Sequence, residues 1–390
     1  PGTLTPADVS GAVVYTLDWT VSSIVSQIDA DPNDPESVGV IVTAPPFQRR
    51  TAWTDERQSL FIESLMLGLP VPPLVLAESM RNAGQFYVLD GKQRLTALKR
   101  FFTDSSPLRL RGLELLRNTL QGRTYQEAKS DQDLRKYTKS LLTQPIRTIV
   151  VRNWATPSLL HLIFSRLNKA SVPLASHELR QAIYPGSFTN YINRRSGESS
   201  MLLKARRLES PDFRLRDAET LLRFIAFKCN LRKYRGDLRD FLDRSLKGGN
   251  DNYFEIDEDL EQLVATMENA IDTVFEIFGD AAFLRFDPGR EKYMPRFNVT
   301  VFDLMTWFFT DHRVSEAARR RSDGVSAAFE SLCRDDDDFA AYLTSTTKTA
   351  AATVGRLEKW GATLSDVLDL ELPVDDFAET FLPLAPRGSR

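Results

Sequence analysis

The chain has 390 residues, of which 42% are hydrophobic, and a formal net charge of −3. A chain of this length can bury more than one core, so we expect two domains. The near-neutral charge excludes the global basic field of many nucleic-acid binders, so any contact with DNA must rest on local arginines. Two cysteines and three histidines, widely spaced, exclude a disulfide framework and a zinc-finger ligand set.

The first part of the chain mixes predicted strands and helices. A helix over 21–28 is entered from Thr20, and a β-branched strand over 38–43 stops at two prolines. Thr54 can cap a helix over 54–67 that ends at Gly68. Further strands are predicted at 71–77, 86–89 and 146–151. We therefore expect an N-terminal α/β domain over residues 1–155.

The rest of the chain, residues 156–390, is predicted to be an all-α helical domain. Apolar residues recur at helical spacing over 221–227, 260–278, 299–309 and 353–360. The acidic run 335–338 is predicted to be a loop. No apolar run is long enough to span a membrane, and the N-terminus lacks a signal-peptide pattern. We therefore expect a cytoplasmic protein without a membrane anchor.

The most informative segment lies between the strand 86–89 and the helix that follows it. Asp90 and Gln93 have the spacing of a helix capping box, and Gly91 permits a close backbone approach. Lys92 and Arg94 add positive charge where the helix N-terminus already favours anions. The segment therefore predicts an anion site, with phosphate as the expected ligand. The alternative is a capped helix whose charged residues are surface pairs.

Two further polar clusters flank this turn in the sequence. Gln48 and Arg49 lie in a loop just before the helix at Thr54. Arg166 and Asn168 lie off the apolar stripe of a later helix, near its end. Each cluster has a structural alternative when taken alone, namely ion pairing with nearby carboxylates or packing into the core.

In this order, however, the segments resemble one family. They are Gln48-Arg49, Leu69-Pro70-Val71-Pro72, Asp90-Gly91-Lys92-Gln93-Arg94-Leu95-Thr96, and Phe164-Ser165-Arg166-Leu167-Asn168 followed by Glu178-Leu179-Arg180. The family is the ParB/sulfiredoxin-like N-terminal domain of GmrSD-type modification-dependent restriction systems, which includes GmrS-like and SspE-like proteins. The resemblance implies an α+β chain, with a ParB-like nucleotide-binding domain followed by the helical domain. The commonest form of the motif has Gln in place of Lys92.

The resemblance also implies a site and an activity. It implies that a nucleoside triphosphate, with Mg²⁺, is bound and hydrolysed, and that hydrolysis regulates restriction of modified phage DNA. Asp90, Gln93 and Arg94 would be the catalytic residues. The nucleotide would be bound by Gln48, Arg49, Gly91, Lys92, Thr96, Arg166 and Asn168. We expect no resident metal site made by protein ligands alone.

The expected partners follow from what the sequence lacks. Many relatives carry a His-Asn-His nuclease domain, but His161, His177 and His312 match no such motif. We therefore expect DNA as a partner and a separate nuclease subunit, and an oligomer is compatible with the sequence. The main alternative is a non-catalytic, ParB-like switch module that binds DNA or a partner protein. A nuclease with an unrecognised site is the third alternative, and no carboxylate cluster specifically supports it.

Overall fold

The computed structural model describes residues 9–28, 40–42, 53–80, 82–102, 106–154, 156–167, 176–212, 214–344 and 349–383. Contacts between Cα atoms divide the chain into two compact units, Pro1–Ile183 and Tyr184–Arg390. The first unit extends beyond the domain predicted for residues 1–155, because two more helices contact its sheet. None of the described helices is both long and apolar enough to cross a membrane.

The first unit is built on a five-stranded mixed sheet. The strands are Val13–Thr20 (β1), Val40–Val42 (β2), Leu74–Glu78 (β3), Gln85–Asp90 (β4) and Pro145–Arg152 (β5), in the order β1-β5-β3-β4-β2. β1 pairs antiparallel with β5, as β3 does with β4, whereas β5 with β3 and β4 with β2 are parallel pairs. Asp90 ends β4 opposite Val75 of β3. The predicted site therefore lies at the end of a strand inside the sheet.

Eight helices are described in the first unit. They are Val21–Gln27 (α1), Asp55–Met66 (α2), Lys92–Phe102 (α3), Arg117–Leu120 (α4), Tyr125–Ser130 (α5), Arg135–Thr143 (α6), Pro157–Leu167 (α7) and Ser176–Ile183 (α8). Apolar residues of α1, α2 and α3 pack with β3 and β4 in one core cluster. Leu95 and Leu98 of α3 are fully buried there. This packing fixes the first turn of α3 against the end of β4.

Several local predictions for this unit are confirmed. The Thr20 hydroxyl accepts a hydrogen bond from Ser23 N–H, and the Thr54 hydroxyl accepts one from Arg57 N–H. Gly68, just after α2, has a φ of +70°. By contrast, β1 and the helices α4 to α6 were not predicted. For β1 a signal was present, because apolar and polar residues alternate from Tyr15 to Thr20.

The second unit is largely helical, so the α+β class is confirmed. Its helices are Ser187–Glu198 (α9), Ser200–Ala205 (α10), Arg216–Asn230 (α11), Leu238–Phe278 (α12), Val299–Phe309 (α13), His312–Arg320 (α14), Ser322–Asp335 (α15), Asp337–Thr344 (α16) and Ala350–Leu368 (α17). The one departure from an all-α unit among its described residues is a hairpin of Leu284–Asp287 (β6) and Lys292–Phe297 (β7).

The prediction of a loop over the acidic run 335–338 is wrong. Asp335 ends α15 and Asp337 begins α16, so Asp336 alone joins the two helices. The Asp336 carboxylate accepts a hydrogen bond from Phe339 N–H at 2.8 Å and pairs with Lys359. Carboxylates are stabilised at helix N-termini. A short acidic run can therefore begin a helix instead of forming a loop.

A buried cluster of charges connects three helices of the second unit. Nη2 and Nε of Arg223 lie 2.5 Å from Oδ2 of Asp303, and Nη2 of Arg356 lies 3.9 Å from the same oxygen. The residues Arg223, Asp303 and Arg356 are 6%, 9% and 1% exposed. Burial raises the pKa of Asp303 although both guanidinium groups oppose the shift, and burial lowers the pKa of Arg356 to about 10. Asp303 is therefore the buried anion that compensates these arginines.

Removal of this buried carboxylate should strongly destabilise the second unit. We expect Asp303→Ala to lower the free energy of unfolding by about 3–5 kcal/mol, because it leaves buried guanidinium charge uncompensated. The control is Asp375→Ala, which removes an exposed carboxylate that lies 2.6 Å from Arg232. The control should cost less than about 1 kcal/mol. Urea unfolding followed by circular dichroism measures both, and equal losses would contradict this account of the cluster.

Candidate functional site

The turn between β4 and α3 requires a glycine at position 91. Gly91 has a φ of +102°, a region that side chains other than glycine rarely occupy. A Cβ atom at this position would lie 2.4 Å from Cδ2 of Leu74 and 3.2 Å from Nη2 of Arg94. Both the backbone conformation and the space around it therefore exclude a side chain. The glycine expected from the sequence to allow a close approach is packed against protein atoms below the turn.

Arg94 and Asp90 are hydrogen-bonded to each other beside Gly91. Nη2 of Arg94 donates hydrogen bonds to the Pro73 carbonyl at 3.0 Å and to Oδ2 of Asp90 at 3.1 Å. Oδ1 of Asp90 accepts the N–H of Gly91 at 2.8 Å. The Arg94 side chain is 10% exposed and that of Asp90 is 32% exposed. The carboxylate is therefore held from below by two donors, while part of it remains accessible to solvent.

The predicted capping box between Asp90 and Gln93 is wrong. α3 begins at Lys92, and its first intrahelical hydrogen bond runs from Leu95 N–H to the Gly91 carbonyl at 3.0 Å. Gly91 therefore occupies the N-cap position, and the Asp90 carboxylate binds the next amide in the chain. The Gln93 side-chain oxygen instead accepts the N–H of Trp53 at 3.3 Å. The helix begins one residue later than the box requires.

The backbone amides of the first turn of α3 have no acceptor within the helix. An α-helix leaves its first N–H groups without an intrahelical acceptor, and in α3 these are the amides that come before Leu95 in the chain. Nε of Arg94 is also buried without a hydrogen-bond partner among the described residues. These donors lie at the positive end of the helix dipole. The turn therefore has the electrostatic character of an anion site.

Lys92 has a partner that the sequence analysis did not assign. Its Nζ lies 3.3 Å from Oε1 of Glu178 in α8, and the two side chains are 14% and 4% exposed. The same helix contains three further buried polar residues, His177, Arg180 and Gln181. Glu178 and Arg180 are two positions apart, so they lie on different sides of α8 and Glu178 can reach Lys92 of α3.

The remaining predicted site residues are only partly described. The Thr96 hydroxyl donates to the Lys92 carbonyl at 2.9 Å, one turn earlier in α3. Arg166 is exposed in the last turn of α7. Gln48, Arg49 and Asn168 lie outside the described residues. The structure thus brings Asp90, Gly91, Lys92, Gln93, Arg94 and Thr96 together and adds Glu178 to them.

A comparison with known families matches the part of the chain that contains this turn. A family model described as the GmrSD restriction endonuclease, N-terminal domain, matches residues 24–185. The match includes the whole of β2 to α8 and ends close to the limit of the first unit. Neither the curated proteins nor the solved structures gave a match.

Substitution of Gly91 should test how tightly the turn is packed. We expect Gly91→Ala to cost about 2–4 kcal/mol of unfolding free energy, because it combines an unfavourable φ with a steric clash. Gly122→Ala is a matched control, because Gly122 has a φ of +79° and an added Cβ would meet no atom within 4 Å. The control should show the conformational cost alone, about 1 kcal/mol. Chemical denaturation of both variants measures the difference, and equal costs would mean that the turn relaxes freely.

Proposed function

Since residues 24–185 match the model of the GmrSD restriction endonuclease N-terminal domain, we propose that this chain is the nucleotide-hydrolysing, regulatory component of such a restriction system. The family assignment supports a role in restriction of DNA. The finer proposal is that a nucleoside triphosphate binds at the turn between β4 and α3. Hydrolysis would then control a separate nuclease partner, so that modified phage DNA is restricted.

The observation that carries the proposal is the fixed position of the Asp90 carboxylate. Gly91 N–H and the Arg94 guanidinium hold its two oxygens, so its orientation is set before any ligand binds. Because the group is partly exposed at the N-terminus of α3, it can accept a proton from a water molecule or orient that water. A carboxylate held close to an anion site is an arrangement that phosphoryl-transfer enzymes use.

The surroundings of Asp90 also fit a phosphate group. The first amides of α3 would bind phosphate oxygens, and the helix dipole favours their negative charge. Mg²⁺ commonly binds through one or two carboxylates together with substrate phosphates, so Asp90 is the residue that would hold it. When bound, the ion would neutralise charge that develops on the phosphates.

Arg94 and Gln93 take different roles in this proposal from those expected from the sequence. Arg94 turns inwards to Asp90 and Pro73, so we assign it a positioning role toward the carboxylate. Gln93 positions the residue at the entry to α2 through its bond to Trp53 N–H. Lys92 remains the cation at the phosphate site, and its present partner is Glu178.

The alternative of a switch that binds nucleotide without turnover also has a specific observation in its favour. The two cationic side chains of the turn are already paired, Arg94 with Asp90 and Lys92 with Glu178. A bound phosphate would compete with these carboxylates for the cations. The protein would then respond to occupancy of the site, and no chemical step would be required.

Asp90→Asn distinguishes nucleotide hydrolysis from a switch that binds nucleotide without turnover. Asparagine retains one oxygen that can accept the Gly91 N–H, but its NH2 group cannot accept from Arg94, so the fold should persist with a loss of about 1.5–3 kcal/mol. Steady-state phosphate release with Mg²⁺ and each of ATP, GTP, CTP and UTP should fall about 100-fold or more if the carboxylate handles a proton. Asp18→Asn, at an exposed ion pair with Arg147, is the control and should keep full turnover. Equal turnover in the Asp90 variant would remove Asp90 from the mechanism, and no turnover in the wild type would favour the switch.

Glu178→Gln tests whether Lys92 belongs to the phosphate site. Glutamine cannot neutralise the ammonium group, so Lys92 would be free to bind a phosphate oxygen with its full charge. We expect nucleotide affinity to increase about tenfold, a factor within the range of charge-assisted hydrogen bonds. Lys92→Gln, which restores the commonest residue of the family motif, should lower the affinity instead. Titration calorimetry measures both variants, and two unchanged affinities would place Lys92 outside the site.

A further inference from the structure

The charge of the chain is unevenly distributed along the sequence. Residues 92–152 contain 14 lysines and arginines against 5 aspartates and glutamates, a formal charge of +9 in a chain whose total is −3. This segment runs from α3 through α4, α5 and α6 to the end of β5. A local field of this sign attracts polyanions even though the whole protein is slightly acidic.

Eight of these 14 cations and four of the acidic residues lie within residues 109–139, whose surface we call the basic face. Its exposed cations for which no ion pair is found among the described residues are Arg111, Arg117, Arg123, Lys129, Arg135, Lys136 and Lys139. Arg109 is also exposed and pairs with Glu127. The neighbouring Arg100, by contrast, is neutralised by Asp55. The basic face therefore retains most of its charge.

Backbone and side-chain hydrogen bonds hold the cations of the basic face on a defined framework. Leu110 N–H donates to the Arg123 carbonyl at 3.0 Å, and Gly122 N–H donates to the Leu110 carbonyl at 2.7 Å. Leu108 and Leu110 are fully buried, so the alternating Arg109 and Arg111 are both directed outwards. This pairing places Arg111 and Arg123 on adjacent segments.

The second half of the basic face is connected in a similar way. Nε of Arg135 in α6 donates to the carbonyl of Lys129 in α5 at 3.3 Å. Lys136 and Lys139 follow on the exposed side of α6, one helical turn apart. The cations of α5 and α6 therefore lie on neighbouring elements of one packed substructure.

Two of the acidic residues of the same segment are engaged in local structure. Glu127 forms a capping box with Thr124 and a two-point ion pair with Arg109. The Asp131 carboxylate accepts the amides of Asp133 and Leu134. With all four of its acidic residues counted, the basic face still carries a net charge of +4.

We propose that the basic face binds the sugar–phosphate backbone of duplex DNA. The choice of DNA rests on the proposed function, in which the chain belongs to a restriction system. Exposed cations on rigid elements suit backbone contacts that do not depend on sequence. Single-stranded nucleic acid would require aromatic rings on which bases stack. Here Tyr125 is 7% exposed and Tyr137 is half-buried beneath Lys136, at 5.1 Å.

The sequence predicted only that any DNA contact would rest on local arginines. Of the arginines near the predicted nucleotide site, Arg180 is 1% exposed and so is not accessible to DNA. Arg166 is exposed, whereas Arg49 and Arg50 lie outside the described residues. The basic face was missed because its cations are spread over three short helices and the irregular segments that precede them.

The test measures binding of the full chain to a fluorescein-labelled 24-base-pair duplex by anisotropy between 50 and 200 mM salt. The variant is Lys136→Gln with Lys139→Gln, because both residues are exposed and glutamine is a good helix former. The control is Arg290→Gln with Lys292→Gln, which removes two exposed cations from the second unit. Each lost phosphate contact should reduce the slope of log affinity against log salt by about one.

We expect the α6 double variant to lose affinity at least tenfold at 100 mM salt and to reduce the slope by about two. The control should bind as the wild type does. Equal losses in both variants, or no duplex binding by the wild type at 50 mM salt, would overturn the proposal. Preferred binding to phosphatidylserine vesicles or to a single-stranded 24-mer would also overturn it.

Nucleotide and duplex measurements on the same variants test this proposal independently of the proposed nucleotide site. The α6 double variant should hydrolyse or bind nucleotide as the wild type does, because its substitutions lie outside the turn. Asp90→Asn should retain the full salt dependence of duplex binding. Loss of duplex binding together with unchanged nucleotide behaviour supports the basic face, whatever the outcome at Asp90.

Discussion

The first unit depends on the hydrogen bonds that Arg94 makes beneath the turn at Gly91. One guanidinium nitrogen binds both the Pro73 carbonyl, just before β3, and the Asp90 carboxylate at the end of β4. Because Arg94 itself belongs to α3, this contact joins two strands and a helix. A hydrogen bond to a charged group contributes about 1.5–3 kcal/mol. Because Gly91 has no side chain, the Arg94 guanidinium can lie close to the backbone of the turn, where a Cβ atom would be 3.2 Å from its Nη2.

Both units contain buried charges, but they stabilise them differently. In the first unit, Lys92 and Glu178 form a pair of opposite charges between α3 and α8. In the second unit, one carboxylate at Asp303 serves Arg223 and is also near Arg356. Burying ions costs solvation free energy that pairing only partly offsets. The Asp303 cluster is therefore a structural anchor, whereas the Lys92 pair lies where an incoming anion would compete for it.

The net charge of the whole chain does not show how charge is divided between the two units. Residues 1–183 contain 21 basic and 17 acidic residues, and residues 184–390 contain 29 basic and 36 acidic residues. The first unit therefore has a net charge of +4 and the second a net charge of −7, and the total of −3 shows neither value. The exclusion of a basic field holds for the whole chain only. Within the first unit, the basic face carries eight basic and four acidic residues, a net charge of +4, whereas the basic and acidic residues of the rest of the unit are equal in number.

The sequence by itself determined part of the local structure of this protein. Thr20 and Thr54 cap their helices as predicted, and the strands predicted at 71–77, 86–89 and 146–151 correspond to β3, β4 and β5, because capping and strand propensity depend on neighbours in sequence. The requirement for glycine at position 91 was also visible. Only the tertiary structure decided the partners of the charged residues. Lys92 meets Glu178 86 residues later, and Arg223 meets Asp303 80 residues later. Such pairs are set by how helices and strands pack, and packing brings together residues whose spacing in the sequence carries no periodic signal.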